Sequence, residues 1–205
     1  MTPDVHTIDD VKRAHTEVAI HELIERRWSP RSFADKPVNG TDLKTLFTAA
    51  GWAASSQNEQ PWRFLVGRKG DGTYKKLFQS LAPGNQAWAA TAPVLFATLA
   101  SKTFAKSGAP NGSATHDTGA ATATLSLQAE ALGLHTHGMG GFDKDLLRAF
   151  FGVPSTFDPV AVWALGYVGD PHAVPDKYKQ SELDPRTRKP LAEIVFSAWE
   201  QPTTF

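Results

Sequence analysis

Apolar residues in this chain fall into two kinds of pattern: repeats every three to four positions and short continuous runs. Leu43, Leu46, Phe47 and Ala50 stand at i, i+3, i+4 and i+7, which predicts a helix from Thr41 with one apolar face, loosening at Gly51. Tyr74, Leu77, Phe78 and Leu81 repeat that spacing and predict another. Val11, Ala14 and Val18, continued by Ile20, Leu23 and Ile24, predict a helix from Thr7 to about Arg27, opened by Thr7 and Asp10 in the manner of a capping box. Leu146, Leu147 and Phe150 predict a short helix ended near Gly152. Residues 113–132, rich in Ala, Thr and Leu, predict the longest helix, with Gly133 in the C′ position and Leu134 as its hydrophobic follower. A helix so poor in charge must be buried, in the core or between subunits.

The continuous runs predict strands. Residues 63–66, after Pro61, read as a short one, and residues 94–99 and 160–167 as buried ones. Residues 67–72 read as a glycine-rich surface turn, and 101–112, without periodicity, as a mobile surface segment. From Gly169 to Pro190 the chain turns polar and proline-spaced before Leu191, Ile194, Val195 and Phe196 resume; so long an irregular tail is stable only if docked on something.

With 205 residues, 41% of them hydrophobic, one well-buried core and one domain spanning 1–205 are expected. The 21 basic and 21 acidic side chains cancel, so no global field attracts nucleic acid or an anionic membrane. The absence of cysteine removes disulfides, thiolate nucleophiles and sulfur-ligated metals. Asp4, His6, Asp9 and Asp10 do not make a signal peptide, and no apolar run is long enough to span a bilayer; the expectation is a cytoplasmic protein.

Candidate chemistry sits in the connections. Ser55, Ser56 and Asn58 occupy a helix-to-strand corner before Pro61 and Trp62, where hydroxyl and amide groups can face a ligand or bond their own backbone. Arg27, Ser29 and Arg31 alternate along an extended stretch, which would place all three on one side and suit a phosphate and a sugar chain. His135 and His137 lie two apart in a glycine-rich segment with no clearly paired carboxylate, so no metal is assigned. Gly138, Gly140 and Gly141 let backbone approach a flat ligand. No Ser/His/Asp set or carboxylate dyad has persuasive spacing.

Taken in order, residues 27–33 (RWSPRSF), 55–62 (SSQNEQPW) and 137–142 (HGMGGF) resemble the nitroreductase family of FMN-dependent oxidoreductases, over a match from about Ile24 to Val195. The resemblance implies an α+β fold, a central, mainly antiparallel sheet flanked by helices, with a C-terminal extension wrapping the partner subunit. It implies a homodimer with a shared FMN site at each of two interfaces. Arg27, Trp28, Ser29 and Arg31 would then grip the phosphate and ribityl chain, with Arg31 near flavin N1 and O2. There its charge would favour the reduced cofactor by roughly 1 to 4 kcal/mol at about 4 Å. Ser55, Ser56 and Asn58 would reach the flavin of the other subunit. Asn85 would contribute an amide, and Met139, Gly140 and Gly141 backbone donors near N5 and O4; Trp88 stands where some members have lysine, and Gly140 where some have glutamate. Arg186 and Arg188 match a late basic pair at the phosphate, and Phe104 lies on the insert that covers substrate in related enzymes. The activity implied is hydride transfer from NADH or NADPH to flavin N5, then to a nitroaromatic or quinone, by a ping-pong route. Reduction of an enal, a halogenated phenol or free flavin, and a non-catalytic flavin store, are the alternatives.

Overall fold

A computed structural model describes residues 5–205, with side chains from Ile8 onward. Four strands make the main sheet: β1 (Trp62–Arg68), β2 (Val94–Ser101), β3 (His135–Met139) and β4 (Phe157–Gly166), in the order β1-β2-β4-β3 with every pairing antiparallel. Helices cover both faces. On one lie α4 (Gly72–Ser80), α5 (Pro83–Ala89) and α7 (Lys144–Phe151), burying Leu77, Trp88 and Leu147 against Leu95, Ala97 and Ala164. On the other, α3 (Gly40–Gly51) and α6 (Ala114–Ala131) bury Leu43, Leu46, Ala121 and Leu125 against Phe96 and Leu165. The alternation of inward and outward residues along each strand divides the core in this way.

Local chemistry sets the helix ends. Asn39, Asp71 and Asp143 accept from the backbone N–H of Asp42, Tyr74 and Leu146, and Gly152 closes α7 at φ 62°, where a side chain would be strained. In α6 the hydroxyls of Thr118, Thr124 and Ser126 donate to carbonyls four residues back at 2.8 to 2.9 Å. Those hydroxyls are thereby satisfied within the helix, which lets that face be buried. Among the described residues no helix is long and apolar enough to cross a membrane.

Four expectations change. The helix expected over 7–27 is two helices, α1 (Val5–Lys12) and α2 (Glu22–Arg26). His21 Nδ1 accepts from Leu23 N–H, and Ala14 N–H donates to the Glu25 carbonyl at 2.8 Å, so the chain folds back; Val18 stays 68% exposed, its helical spacing answered by no core. The Thr7 side chain of the expected capping box lies outside the described ones. The glycine-rich stretch at 135–139 is the edge strand β3, whose β-branched and aromatic content is too low to announce it. Residues 101–112 are tied down: Thr103 bridges to Pro110, Asn111 N–H donates to the Lys102 carbonyl at 2.7 Å, and Ala105 N–H to the Glu59 carboxylate at 2.7 Å. Finally, the tail holds a helix, α8 (Asp176–Leu183), before a short hairpin of β5 (Phe196–Ala198) and β6 (Gln201–Pro202). Only Glu182 of α8 is buried, so no apolar period marks it.

Candidate cofactor site

Where β3 leaves the sheet edge, a cleft of about 510 Å³ opens between the chain after α2 and the flank of α6. Arg27 and Ser29 form one wall, Gly119, Thr122 and Ser126 another, and Gly138 and Trp163 the floor. Gly138 pairs with Trp163 across β3 and β4, and a Cβ on it would meet the indole at 2.9 to 3.0 Å, so the ring lies flush over the glycine. Trp163 Nε1 is buried with no hydrogen-bond partner among the described residues. A buried indole N–H is ordinarily paired, and this one is an exception.

The charge close to Arg27 is mainly cationic. Arg27 Nη1 donates to Ser29 Oγ at 3.2 Å. Burial, and then the neighbouring Arg188, hold the Arg27 guanidinium below its ordinary range; burial, Arg27 and Arg188 do the same to Arg186, while Glu130 is the acid that opposes them. Guanidinium does not deprotonate under such pressure; burial is the larger cause in both groups and repulsion the smaller, and a bound anion would oppose both.

The wall itself is fixed from three sides. Arg186 donates to the Arg27 carbonyl at 2.7 Å and also to the carbonyls of Lys12 and Glu25. His137 Nδ1 lies 2.9 Å from the Pro30 carbonyl, which can only accept, so Nδ1 carries the proton. Its ring packs 4.5 Å from that of Trp88, and burial, with Arg31 and Arg27 nearby, lowers its pKa to about 4. Glu182 Oε1 accepts from Arg31 N–H at 2.7 Å and Ser32 N–H at 3.2 Å.

A second cleft of about 420 Å³ lies elsewhere, bounded by Phe47, Trp52, Asn58 and Gln60. It shares no lining residue with the first. Here the 55–62 corner is held by Asp117 of α6, whose Oδ2 accepts from Ser56 N–H at 2.9 Å, and by Ser55 Oγ, which accepts from Gln60 N–H at 3.0 Å. Gln57, Asn58 and Gln60 all adopt positive φ, 51° to 56°, a strained backbone that such ties must sustain.

The chain was compared with known proteins. The model of the Nitroreductase family matches residues 24–81 and 67–167. This chain belongs to the nitroreductase family. A crystal structure of an oxidoreductase containing FMN is 34% identical, superimposes with a TM-score of 0.83 and aligns over 89% of this chain and 93% of its own. A nitroreductase family protein from Clostridium difficile 630 is 26% identical, with a TM-score of 0.66 over 85% of this chain and 95% of its own. A protein of Archaeoglobus fulgidus provisionally named NADH dehydrogenase/NAD(P)H nitroreductase is 29% identical over 153 residues, 73% of this chain and 85% of that protein.

Within this nitroreductase fold the residues singled out from sequence are not all gathered together. Arg27 and Ser29 line the cleft, with Arg188 near, but Arg31 departs from the alternation. Glu182 captures the backbone at Arg31, and the guanidinium stacks 4.8 Å from the Tyr178 ring centre on α8 instead. The Trp28 indole points away into a small core with Ile8 and Val168, donating to Asp9 at 2.9 Å. Asn85 Nδ2 donates to the Gly141 carbonyl at 2.9 Å, fixing the turn after Met139 and Gly140. Trp88 is a core residue, and Phe104 is half-buried in the tied segment. Trp163, Asp117, His137 and Glu182 were not singled out by sequence for these positions. Trp163 is hidden in an apolar strand run, and a lone acid in a polar tail carries no periodic signal.

Proposed function

We propose that this protein is an FMN-dependent oxidoreductase that takes hydride from NADH or NADPH and delivers it to an electron-poor acceptor, a nitroaromatic or a quinone, by a ping-pong route. The observation that carries this reading is the cleft lined by Arg27 and Ser29 over the Trp163 ring, with the charges of Arg186 and Arg188 close to Arg27. Arg27 and Arg188 suit the phosphate, since Arg186 is occupied by three backbone carbonyls. Ser29 would hold the ribityl chain, and Arg31 would reach the pyrimidine end of the ring only by leaving the Tyr178 ring on which it stacks. Backbone donors at Met139, Gly140 and Gly141, where an edge strand leaves groups unpaired, suit its polar rim. Bound flavin would supply the hydride chemistry; the residues of this chain supply position and charge.

The site reads as shared between two copies. Asn58 lines a different cleft from Arg27 and Ser29, and Ser55 and Ser56 precede it in the same corner, so the three would serve the flavin of the other subunit, and the C-terminal extension would wrap that subunit. Trp52, Trp199 and Phe205, 86%, 83% and 91% exposed, are apolar surface that a second copy would cover.

Purified protein should be yellow with about one FMN per chain, and NADH or NADPH should bleach it without oxygen. A protein that binds no FMN even on reconstitution removes the reading, and one that binds FMN but is bleached by neither nicotinamide is a store. A steady-state screen with both nicotinamides against a nitroaromatic, a quinone, an enal, a halogenated phenol and free flavin identifies the acceptor class.

A further inference from the structure

Glu182 is 1% exposed, the most deeply buried acid among the described residues, and it is the one fully buried residue of a helix whose Tyr178 and Leu183 are only partly buried. Sequestering a carboxylate costs several kcal/mol unless its oxygens are well used. Here one oxygen takes two successive backbone N–H groups, those of Arg31 and Ser32, at 2.7 and 3.2 Å, and the other lies 4.0 Å from the Arg31 guanidinium. Burial raises its pKa while those two N–H bonds, Arg31 and Lys12 oppose the rise. Both N–H groups belong to the segment whose preceding residues, Arg27 and Ser29, form the cleft wall. The same tail grips that segment at its other end through Arg186 on the Arg27 carbonyl, and β3 grips its middle through His137 on the Pro30 carbonyl. The segment has no helix or sheet of its own to fix it; side chains from elsewhere do so, together with the Gly169 N–H, which donates to the Ser32 carbonyl at 3.0 Å.

We infer that Glu182 is a positioning residue for the cofactor: its carboxylate holds residues 27–32 in the shape that presents Arg27 and Ser29 to the cleft, so that docking of α8 and loading of FMN are one coupled event. This rests on the FMN reading above. A glutamine in its place keeps one acceptor but turns an NH2 donor toward the Arg31 guanidinium, and the charge that strengthens both backbone bonds is lost.

The test is FMN titration of the apoprotein, followed by flavin fluorescence, in wild type, E182Q and K12M. Lys12 donates to the carbonyls of Ser181 and Asp184, so K12M loosens the end of α8 and removes one cation near Glu182 while both N–H bonds to its carboxylate stay in place. E182Q should weaken FMN binding roughly ten- to a hundredfold. K12M, matched to E182Q for loss of thermal stability by temperature choice, should weaken it far less. Equal weakening in the two variants reduces Glu182 to a tail anchor and overturns the inference, as does unchanged affinity in E182Q. Should E182Q not fold, hydrogen exchange of wild type alone decides: FMN should slow exchange in peptides covering 27–33 and 176–183 together. Slowing confined to 27–33 overturns the coupling. Wild type that binds no FMN overturns the function proposed above, an outcome distinct from all of these.

Discussion

His137 offers a direct test of how the cleft wall is held. Its imidazole is neutral, donates from Nδ1 to Pro30, and has its pKa lowered from 6.5 to about 4. A histidine depressed in the folded state binds its proton more readily when unfolded, so its contribution to stability is complete above the unfolded value and is lost as pH falls from about 6.5 toward 4. The full gap corresponds to about 3 kcal/mol at about 1.4 kcal/mol per unit, and roughly 2 kcal/mol of it disappears between about pH 7 and about pH 4.5. Glu130 and Glu182, whose pKa values are raised by burial, push the opposite way over part of that range, so the whole-protein curve alone is not diagnostic. The His137→Asn variant isolates the effect: its amide donates from near the position of Nδ1 but does not titrate. The cavity it leaves beside Trp88 lowers stability at every pH and cancels in the comparison. Urea unfolding at the two pH values should show wild type losing roughly 2 kcal/mol more than the variant on acidification. Parallel pH dependence in the two proteins would refute the buried, neutral imidazole.

Gly138→Ala pushes a methyl group against the Trp163 ring and should cost about 1 to 3 kcal/mol by thermal melting, with a change in tryptophan emission. Asp117→Ala strands the Ser56 N–H in a strained corner and should cost about 1 to 3 kcal/mol in chemical denaturation. Arg188→Ala should weaken FMN roughly ten- to a hundredfold with little change in melting, whereas Arg186→Ala, which abandons three carbonyls, should lower the melting temperature markedly. For the two-copy site, mixing Arg31→Ala/Arg188→Ala chains with Ser56→Trp/Asn58→Ala chains should restore activity toward half of wild type per heterodimer. Heterodimers verified by mass that stay inactive would place both sets of residues at one chain's site.

The elements that stood out in sequence are those whose own burial pattern is periodic or continuous: α3, α4, α6, α7, β2 and β4. Elements whose stability comes from neighbours were silent. β3 is a strand because β4 pairs with it, with glycine at 138 where the Trp163 indole needs room. α8 is a helix with one buried side chain, and α1 and α2 part because His21 caps and Arg186 collects the carbonyls at their ends. The site divides along the same line. Arg27 and Ser29 were legible because phosphate and sugar recognition needs those side chains close together in sequence. Glu182 and Asp117 act on backbone N–H groups 150 and 61 positions away, a relation that only the folded chain contains. The alternation rule failed at Arg31 because it describes an unperturbed extended strand, and this segment is gripped at that residue.

Arg186 also orders the protein in time. Its guanidinium joins the Lys12, Glu25 and Arg27 carbonyls, so the first two helices are tied to the fold by a residue made some 160 positions later. Chains are synthesised from the N-terminus at roughly 5 to 20 residues per second, so that arm leaves the ribosome well before the guanidinium that joins its carbonyls. The cleft wall is therefore among the first parts translated and the last completed. A chain cut short between β4 and Arg186 contains all four strands of the main sheet but not the residue that closes the wall.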